Sequence, residues 1–111
     1  MNLSAGKILK KYMPMTETAF YILLSLQEPR HGYGIIKNVE AMTNGRLILG
    51  SGTIYGTLTK MQKDAIISVY ADGERRKVYE VTELGKILMQ KEIERLNELY
   101  ENAMKHKEAF D

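Results

Sequence analysis

The stretch GSGTIYGTLTKMQKDAIISVYADGERRKVYEV, residues 50–81, decides the architecture. Its first half reads as a helix. Ile54, Leu58 and Met61 recur at i, i+4 and i+7, an apolar stripe at helical spacing, while Thr57, Lys60 and Lys63 fall off it. Gly50-Ser51-Gly52 opens that helix, and Ser51 and Thr53 are both suitable caps. After Asp64 the pattern changes. Residues 66–71 carry β-branched side chains and a tyrosine, Asp72-Gly73 is a strong turn signal, and residues 76–81 alternate into a second strand.

Upstream, Pro14 and Pro29 punctuate the chain. Residues 16–28 between them read as a first helix, with Thr16 able to cap it and Ala19, Phe20, Leu23, Leu24 and Leu26 keeping it largely buried. His31-Gly32-Tyr33-Gly34 is a turn opening a second helix, whose Ile35, Ile36, Val39 and Met42 have helical spacing. Asn44-Gly45 ends it with residues that tolerate positive φ. Downstream, Thr82-Glu83 starts a helix that runs to about His106. Within it Met89, Ile93, Leu96, Tyr100 and Ala103 follow a 4-3-4-3 spacing, the seam of a helix that packs along another helix. Leu84, Ile87, Leu88 and Leu99 widen that stripe.

The order helix, helix, helix, hairpin, long helix is that of a mainly α fold: a winged helix-turn-helix with a two-stranded β wing and a long C-terminal dimerisation helix. Residues 1–81, with an N-terminal helix included, form the winged-helix region, and residues 82–111 the dimerisation helix of the same single domain.

Composition sets the outer bounds. A chain of 111 residues, 44% of them hydrophobic, suits one domain with a modest core. There is no cysteine, so disulfides and thiolate metal sites are excluded. The N-terminus lacks a secretion-signal pattern and the apolar runs are too short to span a bilayer, so a soluble, cytoplasmic protein without a membrane partner is expected. The formal net charge of +2 is less informative than its distribution. Lys7, Lys10 and Lys11 make a basic front with no acid among residues 1–12, while the C-terminal helix and tail are mildly acidic. One side of such a chain suits a polyanion.

Residues 47–56 also invite a rival reading: an apolar run, a glycine loop and a helix, with Asp72 twenty residues after Gly52. A dinucleotide fold wants that layout. The spacing is G-x-G-x-x-x-G, however, and Asp72-Gly73 sits in a hairpin turn, so its strand returns antiparallel. Nothing after Val81 reads as a strand. Catalytic constellations are absent as well: His31 and His106 stand far apart without triad or metal-ligand spacing, and Ser51 lacks the glycine two residues before it that a nucleophile elbow requires. A non-enzymatic protein without cofactor or metal is expected. His31, beside a turn glycine, suits a structural or capping role better than that of a base.

The motifs, taken in order, are similar to those of the PadR family of bacterial transcriptional regulators. His31-Gly32-Tyr33-Gly34, Gly52-Thr53-Ile54-Tyr55, Arg75-Arg76-Lys77-Val78-Tyr79 and Val81-Thr82-Glu83-Leu84-Gly85 carry the resemblance, which covers roughly residues 16–90. The family pattern usually has a proline where Gly56 stands and a glycine where Ala65 lies. The resemblance implies a homodimer on a pseudo-palindromic operator in double-stranded DNA, joined mostly through one long C-terminal helix. It implies repression, relieved in some members by a planar aromatic small-molecule effector near that interface.

On that reading the third helix enters the major groove. Thr53, Tyr55, Thr57 and Thr59 can donate to phosphates or touch thymine methyls, and Lys60 and Lys63 can neutralise phosphates. With no Arg or Asn on the helix and only Gln62 for bidentate readout, affinity should lean on phosphates and DNA shape. Arg75, Arg76 and Lys77 suit a wing on the backbone or in the minor groove, against the plainer reading of a solvated turn beside Asp72 and Glu74. Tyr33 and Tyr55 have packing roles as their alternative, and Lys37 is a backbone contact from the second helix. Met89, Ile93, Leu96, Leu99, Tyr100 and Ala103, with Phe20 of the first helix, form the expected dimer interface. An effector pocket would be lined by the long and first helices, with stacking left to Tyr12, Phe20, Tyr100 or Phe110 because there is no tryptophan. The alternative function is a winged-helix protein–protein adaptor, favoured by an apolar patch on the third helix and wing.

Overall fold

A computed structural model describes residues 4–71 and 76–111. The hairpin turn expected at Asp72-Gly73, together with Glu74 and Arg75, lies outside the described residues.

The chain begins with helix α1 (Ala5–Tyr12), capped by Ser4, whose hydroxyl accepts from the Lys7 amide. Helix α2 (Glu17–Leu24) is capped by Thr16, which accepts from Ala19, and tightens into a 3-10 turn over Ser25–Gln27. Arg30–His31 form a short strand, β1, and lead directly into α3 (Gly32–Met42). Asn44 and Gly45 close α3 at φ 52° and 80°, the left-handed conformation read from that pair. Helix α4 (Ser51–Lys63) is the third of the helices expected from the sequence. Its N-cap is Gly50 and no side chain caps it, so neither Ser51 nor Thr53 serves. Strands β2 (Ile67–Ala71) and β3 (Lys77–Val81) make the hairpin, and α5 (Glu83–His106) follows, capped by Thr82.

The sheet differs from the expectation in one respect. Among the described residues it has three antiparallel strands in the order β1-β3-β2. Arg30 pairs with Tyr79 and His31 with Val78, so the segment expected as a simple turn also closes the free edge of β3. Two residues leave no room for a recognisable alternation, which is why the pattern did not announce a strand.

The core gathers Ile22 and Leu23 of α2, Ile35 and Val39 of α3, the α4 stripe Ile54, Leu58 and Met61, and Leu88 of α5. Ile8 of α1, fully buried, plugs the N-terminal helix into it. The start of α5 is tightly fixed. Thr82 Oγ1 donates to the Ala65 carbonyl at 2.7 Å and accepts from the Gly85 amide, while the Thr82 amide donates to the Ile66 carbonyl. A Cβ at Gly85 would lie 2.2 Å from the Ile66 carbonyl oxygen, so only glycine allows this approach. Ala65, where the resemblance leads one to expect glycine, holds φ at 61°.

Along α5 the buried side is Gly85, Leu88 and Glu92, with Met89 half-buried against the core. Glu92 is an ionisable residue inside this face. Its carboxylate accepts from Arg95 at 2.6 and 2.9 Å and from the Met15 amide at 2.8 Å, tying α5 to the α1–α2 connection. The Arg95 guanidinium holds the Glu92 carboxyl below the usual carboxylate range; burial opposes the shift, and the Met15 amide reinforces it. From Leu96 onward the helix leaves its own core: Leu96, Leu99, Tyr100, Ala103 and Met104 are all exposed.

Candidate nucleic-acid interface

Helix α4 turns its stripe inward and leaves the opposite face to solvent. Thr53, Tyr55, Thr59, Lys60 and Lys63 are exposed, while Thr57 is half-buried beside Tyr12 and Pro14. Thr59 differs from its neighbours in that its hydroxyl donates to the Tyr55 carbonyl at 2.8 Å, a back-bond within the helix. Lys60 stands 5.5 Å from the centre of the Tyr12 ring.

The far end of α4 is anchored. Asp64, at its C-cap, is 6% exposed, accepts from Lys11 Nζ at 2.8 Å and accepts from the Tyr12 hydroxyl at 2.6 Å. Burial pushes the Asp64 carboxyl up, but the hydrogen bonds from Lys11 and Tyr12 and the nearby Lys60 charge outweigh it and leave it below its ordinary value. Burial and the same carboxylate raise the Tyr12 phenol far above the ordinary tyrosine value. Lys11 is thus engaged within the chain, whereas Lys7 and Lys10 lie exposed on α1.

At the near end, α3, α4 and β3 meet around a cleft of about 620 Å³. It is lined by His31, Gly32, Tyr33 and Gly34 at the start of α3, Tyr55 of α4, and Arg76, Lys77 and Tyr79 of the returning strand. The His31 Nδ1–H donates to the Lys77 carbonyl at 3.0 Å, fastening the wing to β1. His31 sits at the N-cap of α3, yet makes no side-chain cap bond. Its role is structural. Gly32 is buried under Tyr55: a Cβ there would fall 2.6 Å from the Tyr55 hydroxyl oxygen. Tyr33 is 65% exposed, with Lys37 Nζ 5.5 Å from its ring centre and 3.9 Å from Glu40. Tyr79 lies almost wholly inside, and sequence reasoning passed over it as a strand residue.

The structure therefore brings Tyr33, Tyr55, Arg76 and Lys77 around one cleft and arrays Thr53, Thr59, Lys60 and Lys63 along the adjoining helix face. Arg75 lies outside the described residues. The expected interface residues Ile93, Leu96, Leu99, Tyr100 and Ala103 share the exposed side of α5, whereas Met89 packs on the core and Phe20 is half-buried, edge-on to Tyr21. Grooves do run between α2 and α5, one lined by Leu23, Met89 and Ile93 and another by Phe20 and Leu96, but the aromatic residues named for stacking do not come together in either. Tyr12 is committed to Asp64, and Phe110 is 85% exposed on the last turn.

Residues 22–91 match the transcriptional regulator PadR-like family. The chain belongs to this family. A PadR family transcription regulator from hypervirulent Clostridium difficile has the same fold, with a TM-score of 0.71 and 23% identity over 81% of this chain and 97% of that one. A transcriptional regulator from Clostridium thermocellum aligns with a TM-score of 0.67 and 21% identity, over 89% of this chain and 95% of the other. A transcription regulator of the Staphylococcus aureus multidrug efflux pump MepA gives 0.70 and 19%, covering 92% and 72%. By sequence, an uncharacterised protein of Lysinibacillus sphaericus is 33% identical over 67 residues, which are 57% of this chain and 62% of that one. The chain thus spans less than two thirds of the length of this relative. PadR-like proteins are DNA-binding transcription regulators, and the winged helix with its three-stranded sheet is the part that the family match covers. No helix among the described residues is long and apolar enough to cross a membrane.

Proposed function

We propose that this PadR-like chain is an operator-binding repressor that acts as a homodimer on double-stranded DNA. The observation that carries the reading is the joint exposure of the polar α4 face and the cationic root of the wing on one side of the core. Lys60, Lys63, Arg76 and Lys77 neutralise phosphates, Arg75 extends the wing contact, and Thr53, Tyr55, Thr57 and Thr59 face the groove. Thr59 donates to the helix carbonyl, so toward DNA its oxygen is an acceptor and its methyl an apolar contact. Tyr33 and Lys37 flank the same site at the start of α3. The readout is weak in bidentate donors, which makes DNA shape and salt-dependent backbone contacts the main terms.

Dimerisation is supported by the exposed stripe Ile93, Leu96, Leu99, Tyr100 and Met104 on the half of α5 that extends beyond the chain's own core. A two-fold pair places two α4 helices about 34 Å apart, one DNA turn. Release by a planar aromatic effector at that interface follows from the family alone. Electrophoretic mobility shift with the DNA upstream of the protein's own gene, at low and at moderate salt, tests the reading. A complex that weakens steeply with salt is expected, and replacing Arg75 and Arg76 with alanine should flatten the slope. Absence of a shift at low salt would overturn it in favour of an adaptor.

A further inference from the structure

The cleft between α3, α4 and β3 holds a feature that packing does not explain. Tyr79 is 5% exposed and lines the cleft, yet among the described residues its hydroxyl has no hydrogen-bond partner. The ring is buried but the hydroxyl oxygen is not sealed off with it: it opens into the cleft, where it can donate to an incoming acceptor. Tyr55 lines the same cleft across from it. Facing both rings is the first turn of α3, with no acidic residue and no side-chain cap on its amides. Gly32 keeps that turn within reach of the Tyr55 ring, because any side chain there would displace it. Lys77 and Arg76 complete the rim.

We propose that this cleft is a socket for one backbone phosphate of bound DNA, and that the Tyr79 hydroxyl is a neutral donor to it alongside the α3 amides. The inference rests on the DNA-binding reading above and adds an interaction of a different kind. Surface lysines attract the polyanion from a distance and release counterions. A phenol and helix amides carry no net charge, so they fix where the phosphate sits without adding to the salt dependence. Among the described residues no protein group accepts from the hydroxyl, which leaves it available to a phosphate oxygen.

The test compares the full chain with its Tyr79→Phe and Lys77→Ala variants, by fluorescence anisotropy of a labelled mixed-sequence duplex at about 50 and about 200 mM salt. A backbone phosphate is sequence-independent, so the operator need not be known. Tyr79→Phe is expected to weaken binding about three- to tenfold, to keep the wild-type salt slope, and to melt at or above the wild-type temperature. Lys77→Ala should instead lower the slope by about 0.9 for each phosphate that the lysine neutralises in the wild type. Wild-type-like binding by Tyr79→Phe overturns the socket while leaving DNA binding intact. Weaker binding accompanied by a lower melting temperature also overturns it, since a structural hydroxyl gives that pattern. If the wild type binds no duplex at either salt, the DNA-binding reading itself fails and the socket falls with it.

Discussion

The Tyr12 hydroxyl donates to the Asp64 carboxylate at 2.6 Å, joining the end of α1 to the C-cap of α4 across 52 positions of sequence. Lys11 adds the counter-charge at 2.8 Å. The N-terminal helix thereby fixes the orientation of the helix that presents the DNA-facing side chains.

This pair predicts how stability depends on pH. The folded Asp64 carboxyl lies below its ordinary value, so its contribution is present above the unfolded pKa of about 4 and is lost as pH falls through the folded value. The Tyr12 phenol is raised, so its contribution is full below about pH 10 and is lost as pH rises through the folded value. Melting temperature against pH should therefore show a plateau with a fall on both flanks. Asp64→Asn should lower the plateau, by about 1.5–3 kcal/mol for removal of the charged hydrogen bonds, and shrink the acid slope. A variant retaining the full acid slope would assign it to other carboxylates.

Glu92 predicts a similar loss on α5. Replacing it with alanine leaves Arg95 and the Met15 amide without their shared acceptor in a site where the carboxylate is 1% exposed. Because Arg95 can rehydrate, chemical denaturation should register the loss of the charged hydrogen bonds, about 1.5–3 kcal/mol, with Glu92→Gln falling between alanine and wild type.

Ala65 offers a stabilising change. An L-residue in the left-handed region costs about 1–2 kcal/mol, against which glycine loses about 0.4–1 kcal/mol through the freer unfolded chain. Ala65→Gly should therefore raise stability by about 0.5–1 kcal/mol. An unchanged or lower denaturation midpoint would show that the φ of 61° carries no such strain.

Gly85 and Gly56 separate close approach from open space. Gly85→Ala drives a Cβ against the backbone of Ile66 and the Val81 side chain, and should cost about 3 kcal/mol, the upper part of the range for overpacking. Gly56 lies in mid-helix with nothing within 4 Å of an added Cβ, so Gly56→Ala should stabilise by about 0.5–1 kcal/mol. Thermal melting of the two variants should move in opposite directions.

The exposed end of α5 predicts assembly. Leu96→Glu with Leu99→Glu places charges on the exposed stripe, where the wild-type side chains are 37% and 50% exposed. Sedimentation should show the variant at about half the wild-type mass with its helical circular dichroism retained. Equal masses would put the dimer interface elsewhere.

The order from α2 onward was legible because those helices carry their own periodic stripes and most of their ends are marked by the residue type that caps them, α4 with its Gly50 cap excepted. Thr16, Asn44-Gly45 and Thr82 act where their local chemistry says they should. Strand β1 was not legible, since its pairing partners Val78 and Tyr79 lie far along the chain. The burial of Asp64 and Glu92 was not legible for the same reason: the groups that hold them come from α1 and the α1–α2 connection, apart from Arg95. One local signal did exist for Glu92, four positions after Leu88 inside the apolar stripe and three before an arginine.

Residues 50–81 by themselves determined a helix followed by a hairpin, because side-chain period and turn chemistry are local properties. Tertiary structure alone decided what surrounds that helix: the clamp of Tyr12 and Lys11 at its end, the edge strand beside the wing, and the cleft where Tyr55 covers Gly32 and Tyr79 lies buried. Each of these joins residues distant in sequence, and such contacts arise only when the core brings the elements together.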